Sequence, residues 1–240
     1  MAKIIIFSGA GISAESGIST FRESGGLWEN YKIEEICSAG CLSWNYDETI
    51  DFYDKRRLNI KDKEPNKAHK EIKRLVDKYP DDIKIITQNV DDMFEKAGCK
   101  DVVHLHGFLC EICCENCGFL DDIGYKELYS AYATCPNCSS NLRPNVVFFG
   151  EIAPKYEVLY QELIDCEMLV VIGTSGNVIN TDMFLIGGIS YSILNNLEQS
   201  SAIDDTLYTK VLYKKATVAV DEIVNDVENY LTKKPNKLKY

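Results

Sequence analysis

Residues 3–16, "KIIIFSGAGISAES", set a short β-branched apolar run directly against a glycine turn. Such a run, bounded by a turn, reads as a buried strand. Behind it Gly9, Gly11 and Ala14 stand in a G-x-G-x-x-A frame. Glycines in that frame let the backbone turn tightly and approach a pyrophosphate, whose charge rests on the next helix N-terminus. The plainer reading is a turn that packs a helix onto a sheet. A standard dehydrogenase half carries an acidic ribose ligand about 20 residues further on, and no strand end stands there to hold one.

Three more runs share the character of the first: "IKIIT" at 83–87, "DVVHL" at 101–105 and "MLVVIG" at 168–173. Helical stretches lie between them, an alternation that builds an α/β layer with a largely parallel sheet. Two segments interrupt it, a tyrosine- and charge-rich helical stretch (about 27–78) and a cysteine-rich stretch (about 107–145). The expected fold class is therefore α/β with a largely parallel sheet, and both interruptions look like insertions that form a second, smaller lobe.

The net charge of −11 argues against general affinity for nucleic acid or an anionic membrane. No run approaches the roughly 20 apolar residues of a membrane span, so the chain is expected to be cytoplasmic and, by default, monomeric. Ten cysteines then point to reduced thiols or metal ligands. Cys135 and Cys138 in "CPNC" form one C-x-x-C knuckle, while Cys110–Cys113 and Cys114–Cys117 both fit the second by spacing. Four thiolates close the coordination of zinc, so such a metal is structural and does not hydrolyse. Cys37, Cys41, Cys99 and Cys166 have no partner pattern, and "CEIC" lacks the fold context of a redox pair.

"GAGISAESGISTFR", "TQNVDDMF", "HLHG", "RPNVVFFGE" and "IGTS" occur in that order around the cysteine pairs. Together they resemble the sirtuins, the NAD-dependent protein lysine deacylases, from residue 4 to about 198. The resemblance implies a Rossmann-like large domain of about 1–26, 79–106 and 146–240, with the two insertions as the helical and zinc-binding modules of a small domain. It also implies NAD and one structural zinc ion, with acyl-lysine proteins or peptides as partners. It places Gly9, Ala10, Gly11, Glu15, Thr20, Phe21, Arg22 and Trp28 around the cofactor. Gln88, Asn89, Val90 and Asp91 would surround the nicotinamide ribose and its pocket. Gly173, Thr174 and Ser175, then Asn196, Leu197, Glu198 and Ala216, would hold the phosphate and adenosine side. "YKKAT" lacks the glycine expected before Ala216, and Ser19, Asn145 and Asn180 also depart from the family pattern.

In this family the acyl-lysine oxygen attacks the ribose carbon that carries nicotinamide, and a base then draws a proton from the ribose hydroxyls. An imidazole suits that base, and the resemblance puts it on His106, with Asn89 and Asp91 as its catalytic companions. His104 alternates with His106 along the strand and reads as structural, as does His69. The distance from His106, with Gly118 after Cys117, selects Cys114, Cys117, Cys135 and Cys138 as metal ligands. Val146, Phe148, Gly150 and Glu151 would meet the substrate backbone as an added strand.

"DFYDKRRL" places Tyr53 and Arg56 at i, i+3 on one helix face. That can be a charged helix surface. In sirtuins resembling the mitochondrial and bacterial class III enzymes, a Tyr-x-x-Arg pair instead lines the acyl pocket, where a guanidinium fork matches a carboxylate. Succinyl- or malonyl-lysine is then expected as a substrate beside acetyl-lysine. Two rival readings share the residues: an NAD glycohydrolase or mono-ADP-ribosyltransferase, and a non-catalytic module that binds NAD or acyl-lysine.

Overall fold

The apolar runs form parallel strands buried on both faces. In the computed structural model, which describes residues 3–19 and 32–232, the strands are β1 (Ile4–Ser8), β2 (Ile83–Thr87), β3 (Val103–His104), β4 (Gly107–Cys113), β5 (Leu120–Asp122), β6 (Arg143–Val146), β7 (Met168–Ile172), β8 (Tyr191–Asn196) and β9 (Lys210–Tyr213). The α-helices are α1 (Ile33–Ile36), α2 (Tyr46–Lys61), α3 (Lys67–Lys78), α4 (Met93–Lys96), α5 (Leu128–Ala131), α6 (Tyr156–Ile164) and α7 (Ala216–Thr232).

The large sheet runs β3-β2-β1-β7-β8-β9 with every pairing parallel, Ile6 lying between Ile85 and Val170. Counted within the sheet, this is third-second-first-fourth-fifth-sixth, the dinucleotide-binding order, and it reverses between β1 and β7. Alternate residues of β1 serve opposite faces. Ile4 and Ile6 pack with Ala68, Ile72 and Leu75 of α3 and Val220, Ile223 and Val227 of α7. Ile5 and Phe7 pack with Leu159 of α6 and with Phe184. Burial on both faces explains why these strands read as unbroken apolar runs.

The helical stretch at 27–78 divides. α3 lies on the large sheet, whereas Phe52, Tyr53 and Ile60 of α2 pack with Leu109 and Cys110 of β4 and with Phe148. Within the buried face of α2 sits an ion pair, Asp54 with the fully buried Arg57. Arg57 also donates through Nε to the Leu109 carbonyl at 2.9 Å, and the Asp54 carboxylate accepts from Leu128 N–H at 3.1 Å. Arg57 Nη2 has no partner, so these bonds offset only part of the cost of burying the pair. The pair fastens α2 to the small antiparallel sheet, ordered β5-β4-β6.

The lobes are stitched where β3 passes into β4. Val147 N–H donates to the His106 carbonyl, Phe149 N–H to Cys37 and Ala39 N–H to Phe149. Lys96 of α4 donates to the Ile60, Lys61 and Lys63 carbonyls at 2.7, 2.9 and 2.9 Å, covering the open C-terminal end of α2. Among the described residues no helix is long and apolar enough to cross a membrane.

Gly107, at the crossing between lobes, has φ +86°, and a Cβ there would run into the Asn145 carbonyl oxygen. Gly40 has a similar φ of +84° but open space around it. Gly107→Ala should therefore lower stability by about 3 kcal/mol or more, and Gly40→Ala by about 1 kcal/mol. Denaturant unfolding measures both, and equal losses contradict the close approach.

Candidate active site

Two turns meet at the strand-order reversal. Gly9 N–H donates to Ile172 O at 2.9 Å, and Gly11 N–H to Gly173 O at 2.8 Å. A Cβ on Gly9 would lie 2.7 Å from Gly173 O, and one on Gly11 2.7 Å from Gly173 Cα. Packing of one turn on the other is thus reason enough for these glycines. Gly9 is buried in this contact, while Ala10, Gly11 and Gly173 stay half-buried at its rim, where a backbone without large side chains suits the approach of a pyrophosphate.

Polar side chains converge on Ser13, which is fully buried. Its hydroxyl accepts from Asn89 Nδ2 at 3.2 Å and also hydrogen-bonds the Asp91 carboxylate. Burial raises the Asp91 pKa, opposed by the Met93 N–H, Ser13 and His104. Gln88 Nε2 donates to Thr174 Oγ1 at 2.8 Å, bridging the ends of β2 and β7. Ser13 carries no spacing signature; a serine inside a buried glycine turn is its only hint in the sequence.

Residues two apart in a strand share a face, yet the histidines separate, because β3 ends at His104 and His106 lies in the turn before β4. His104 is buried, its Nδ1 2.7 Å from the Asn89 carbonyl and its Nε2 2.9 Å from Glu95 Oε1. It props the loop that presents Asn89. His69 lies edge-on to Phe94, 3.5 Å from Ser13 Oγ, and burial lowers its pKa to about 4, so it is neutral there. His106 Nδ1 lies 3.0 Å from the Gln88 carbonyl, which can only accept, so the proton sits on Nδ1 and Nε2 is the basic nitrogen. Burial lowers its pKa, against the Gln88 hydrogen bond, and favours that neutral form. The Tyr156 hydroxyl lies 2.9 Å from Nε2, a partner 50 residues away that no local pattern announces.

The remaining cofactor-side expectations lie around these turns. Glu15 accepts from Thr217 N–H at 3.0 Å and from Thr217 Oγ1 at 2.7 Å, capping α7 beside buried Ala216. The Ser175 carbonyl accepts from Ser200 Oγ at 2.6 Å. Asn196 ends β8 buried, whereas Leu197 and Glu198 are exposed. Val90 packs toward the small lobe, where its carbonyl accepts from Leu109 N–H at 2.8 Å. Thr20, Phe21, Arg22 and Trp28 lie outside the described residues.

On the small-lobe side, the Tyr53 ring stacks on Phe148 at 5.3 Å, with 7° between planes. Arg56 places its guanidinium 5.8 Å from the Phe52 ring centre. Burial lowers the Arg56 pKa, while Tyr53, Asp91 and Cys37 pull it upward. Val146 pairs with Gly107 and Gly150 is exposed. The Glu151 carboxylate turns inward, accepting from Phe148 N–H at 2.8 Å and from Arg143 Nη1 at 2.7 Å. Arg143 in turn lies 4.1 Å over the Phe148 ring. Glu151 thus shapes the loop through Arg143.

Cys114, Cys117, Cys135 and Cys138 bring their sulfurs within 4.8 Å of one another, the one cluster of potential metal ligands among the described residues. Two sulfur pairs are 3.5 Å apart, near the roughly 3.8 Å that a tetrahedron of about 2.3 Å Zn–S bonds requires. The donor set fits one zinc ion and leaves no open position for catalysis. Cys110 is instead a buried core residue whose thiol burial pushes up to about 12. Cys37, Cys99 and Cys166 are likewise buried thiols with raised pKa values.

A polar cleft at the reversal of strand order, beside a lobe built on four sulfurs, defines a dinucleotide-binding α/β class with a structural metal. The family follows from comparison. The Sir2 family model matches residues 9–180. The NAD-dependent protein deacylase of Campylobacter jejuni (strain RM1221) is 42% identical over 232 residues, covering 96% of this chain and 98% of the relative. That of Helicobacter hepaticus is 39% identical over 254 residues, covering 96% and 99%. A Sir2 homologue solved as a mutant in complex with ADP-ribose aligns with TM-score 0.84 at 30% identity, covering 97% of this chain and 94% of that one. The chain belongs to the Sir2 family.

Removing one sulfur should release the metal. Cys114→Ser is expected to lose zinc and unfold the small lobe, whereas Cys110→Ser keeps about one zinc per chain. Metal analysis with thermal unfolding checks both, and zinc loss from the Cys110 variant alone contradicts the assignment.

Proposed function

We infer that this Sir2-family chain is an NAD-dependent protein deacylase whose acyl pocket accepts a carboxylate-ended acyl group. The observation that carries the reading is the convergence of His106 Nε2, the Asn89–Ser13–Asp91 network and the bare glycine turns on one cleft. Ligands of open α/β sheets bind there, beyond the C-terminal strand ends where the order reverses.

NAD supplies a ribose already bonded to a cationic leaving group, so the protein's tasks are positioning, water exclusion and proton removal. The turns of Gly9–Ala10–Gly11 and Gly173–Thr174–Ser175 take the phosphates, with Glu15, Asn196, Leu197, Glu198 and Ala216 on the adenosine side. Gln88, Asn89, Val90 and Asp91 take the nicotinamide ribose and its pocket, with Asn89 held by Ser13. Thr20, Phe21, Arg22 and Trp28 complete the cofactor site in the family pattern. His106 is the base. Its proton is fixed on Nδ1, its lone pair on Nε2, and its neutral form is favoured by burial.

The acyl-lysine peptide enters between the lobes along Val146, Phe148 and Gly150, while Glu151 holds that segment in shape through Arg143. Tyr53 and Arg56 form the far wall. The phenol ring is locked by its stack on Phe148, and Arg56 stands one helical turn along α2 on the same face. A guanidinium fork and a phenol so placed match a carboxylate on the acyl chain with charge-assisted hydrogen bonds.

Replacing Arg56 with Met keeps length and removes charge. Desuccinylation of a lysine peptide should fall roughly 100-fold in kcat/KM, with deacetylation within a few-fold of the parent. Steady-state assays on both peptides with NAD decide it, and equal losses sink the carboxylate pocket.

A further inference from the structure

His106 Nε2 has one lone pair, and the Tyr156 hydroxyl, 2.9 Å away, points at it. The other ring nitrogen donates to Gln88 O, so in this contact the phenol must be the donor. Tyr156 opens α6, and its ring lies tilted at 51° to the imidazole with centroids 5.9 Å apart. A nitrogen with a single lone pair takes its proton from whichever group donates to it. While Tyr156 holds Nε2, a substrate hydroxyl reaches the base only through the phenol oxygen.

We propose that Tyr156 is a relay and positioning residue for the base, passing its own hydroxyl proton to His106 Nε2 while accepting one from the ribose hydroxyl that the reaction deprotonates. This rests on the deacylase reading and on His106 as its base. The ribose O–H breaks as a new O–H forms on Tyr156, and the old phenol O–H breaks as N–H forms on Nε2. Two protons each move one place, Tyr156 ends as the neutral phenol it began as, and His106 ends as imidazolium. No tyrosinate forms, in keeping with the buried phenol's raised pKa.

The test is Tyr156→Phe, which keeps the ring and removes the hydroxyl. A donor on Nε2 stabilises the neutral imidazole, so its loss should raise the His106 titration midpoint, read by ¹⁵N NMR on the protein alone, by about 0.5 to 1 pH unit. The groups bearing on that midpoint are the Gln88 carbonyl and Tyr156, with Tyr160 one turn along α6 acting on Tyr156. The rings of His69 and His104 report in the same spectra that the variant is folded. In turnover, kcat should fall at least about 10-fold, with both KM values within two-fold. Nicotinamide exchange, which precedes the proton transfer, should be retained. An unchanged midpoint, or a kcat within two-fold of the parent, overturns the relay. A parent protein that turns over no acyl-lysine peptide overturns the deacylase reading and the relay together, an outcome told apart by the parent's own assay.

Discussion

The hydrogen bond from Gly11 N–H to Gly173 O, 2.8 Å long, joins the two halves of the large sheet at the point where strand order reverses. It forms only because neither turn carries a side chain at the contact, since a Cβ on Gly9 or Gly11 would meet Gly173 at 2.7 Å. Everything at the cleft is referred to that junction. Gln88 reaches across it to Thr174, and Ser13, two residues beyond Gly11, gathers Asn89 and Asp91. A rigid crossing of this kind is what lets side chains from separate strand ends hold a common geometry without a bound ligand to arrange them.

A second constraint comes from the turn that ends β3 at His104. His104 and His106 are two residues apart, yet one is buried against Asn89 O and Glu95, while the other reaches Gln88 O and Tyr156. Gly107 ends the strand direction directly after them by adopting a backbone that only glycine takes there without a clash. The chain then leaves the large sheet for β4, where the first cysteine of the stretch, Cys110, is a core residue and the zinc ligands begin only at Cys114. In the proposed function, the run from His104 to Cys117 would serve proton transfer, lobe crossing and metal binding in sequence.

Much of this was legible in residue order. β1, β2 and β7 are buried on both faces and announce themselves as apolar runs. β8 and the edge strand β9 were not legible, because "YSILNN" and "KVLY" mix polar with apolar residues. β4 was hidden in the cysteine-rich stretch, where spacing alone left two C-x-x-C pairs open; Gly118 and the distance from His106 chose Cys114 and Cys117, which the structure gathers with Cys135 and Cys138. α3 sits within a stretch read as one helical insertion, although Ala68, Ile72 and Leu75 belong to the core of the large sheet. Ser13 and Tyr156 were invisible for the same physical reason: each acts through partners far away in the chain, and one sequence records no distance.

The central claim is that the cleft transfers an acyl group from lysine to the ribose of NAD. The most direct measurement is mass spectrometry of the products from one acyl-lysine peptide and NAD. The account predicts nicotinamide, free-lysine peptide and O-acyl-ADP-ribose in equal amounts. Free or protein-linked ADP-ribose with the acyl peptide intact would contradict it.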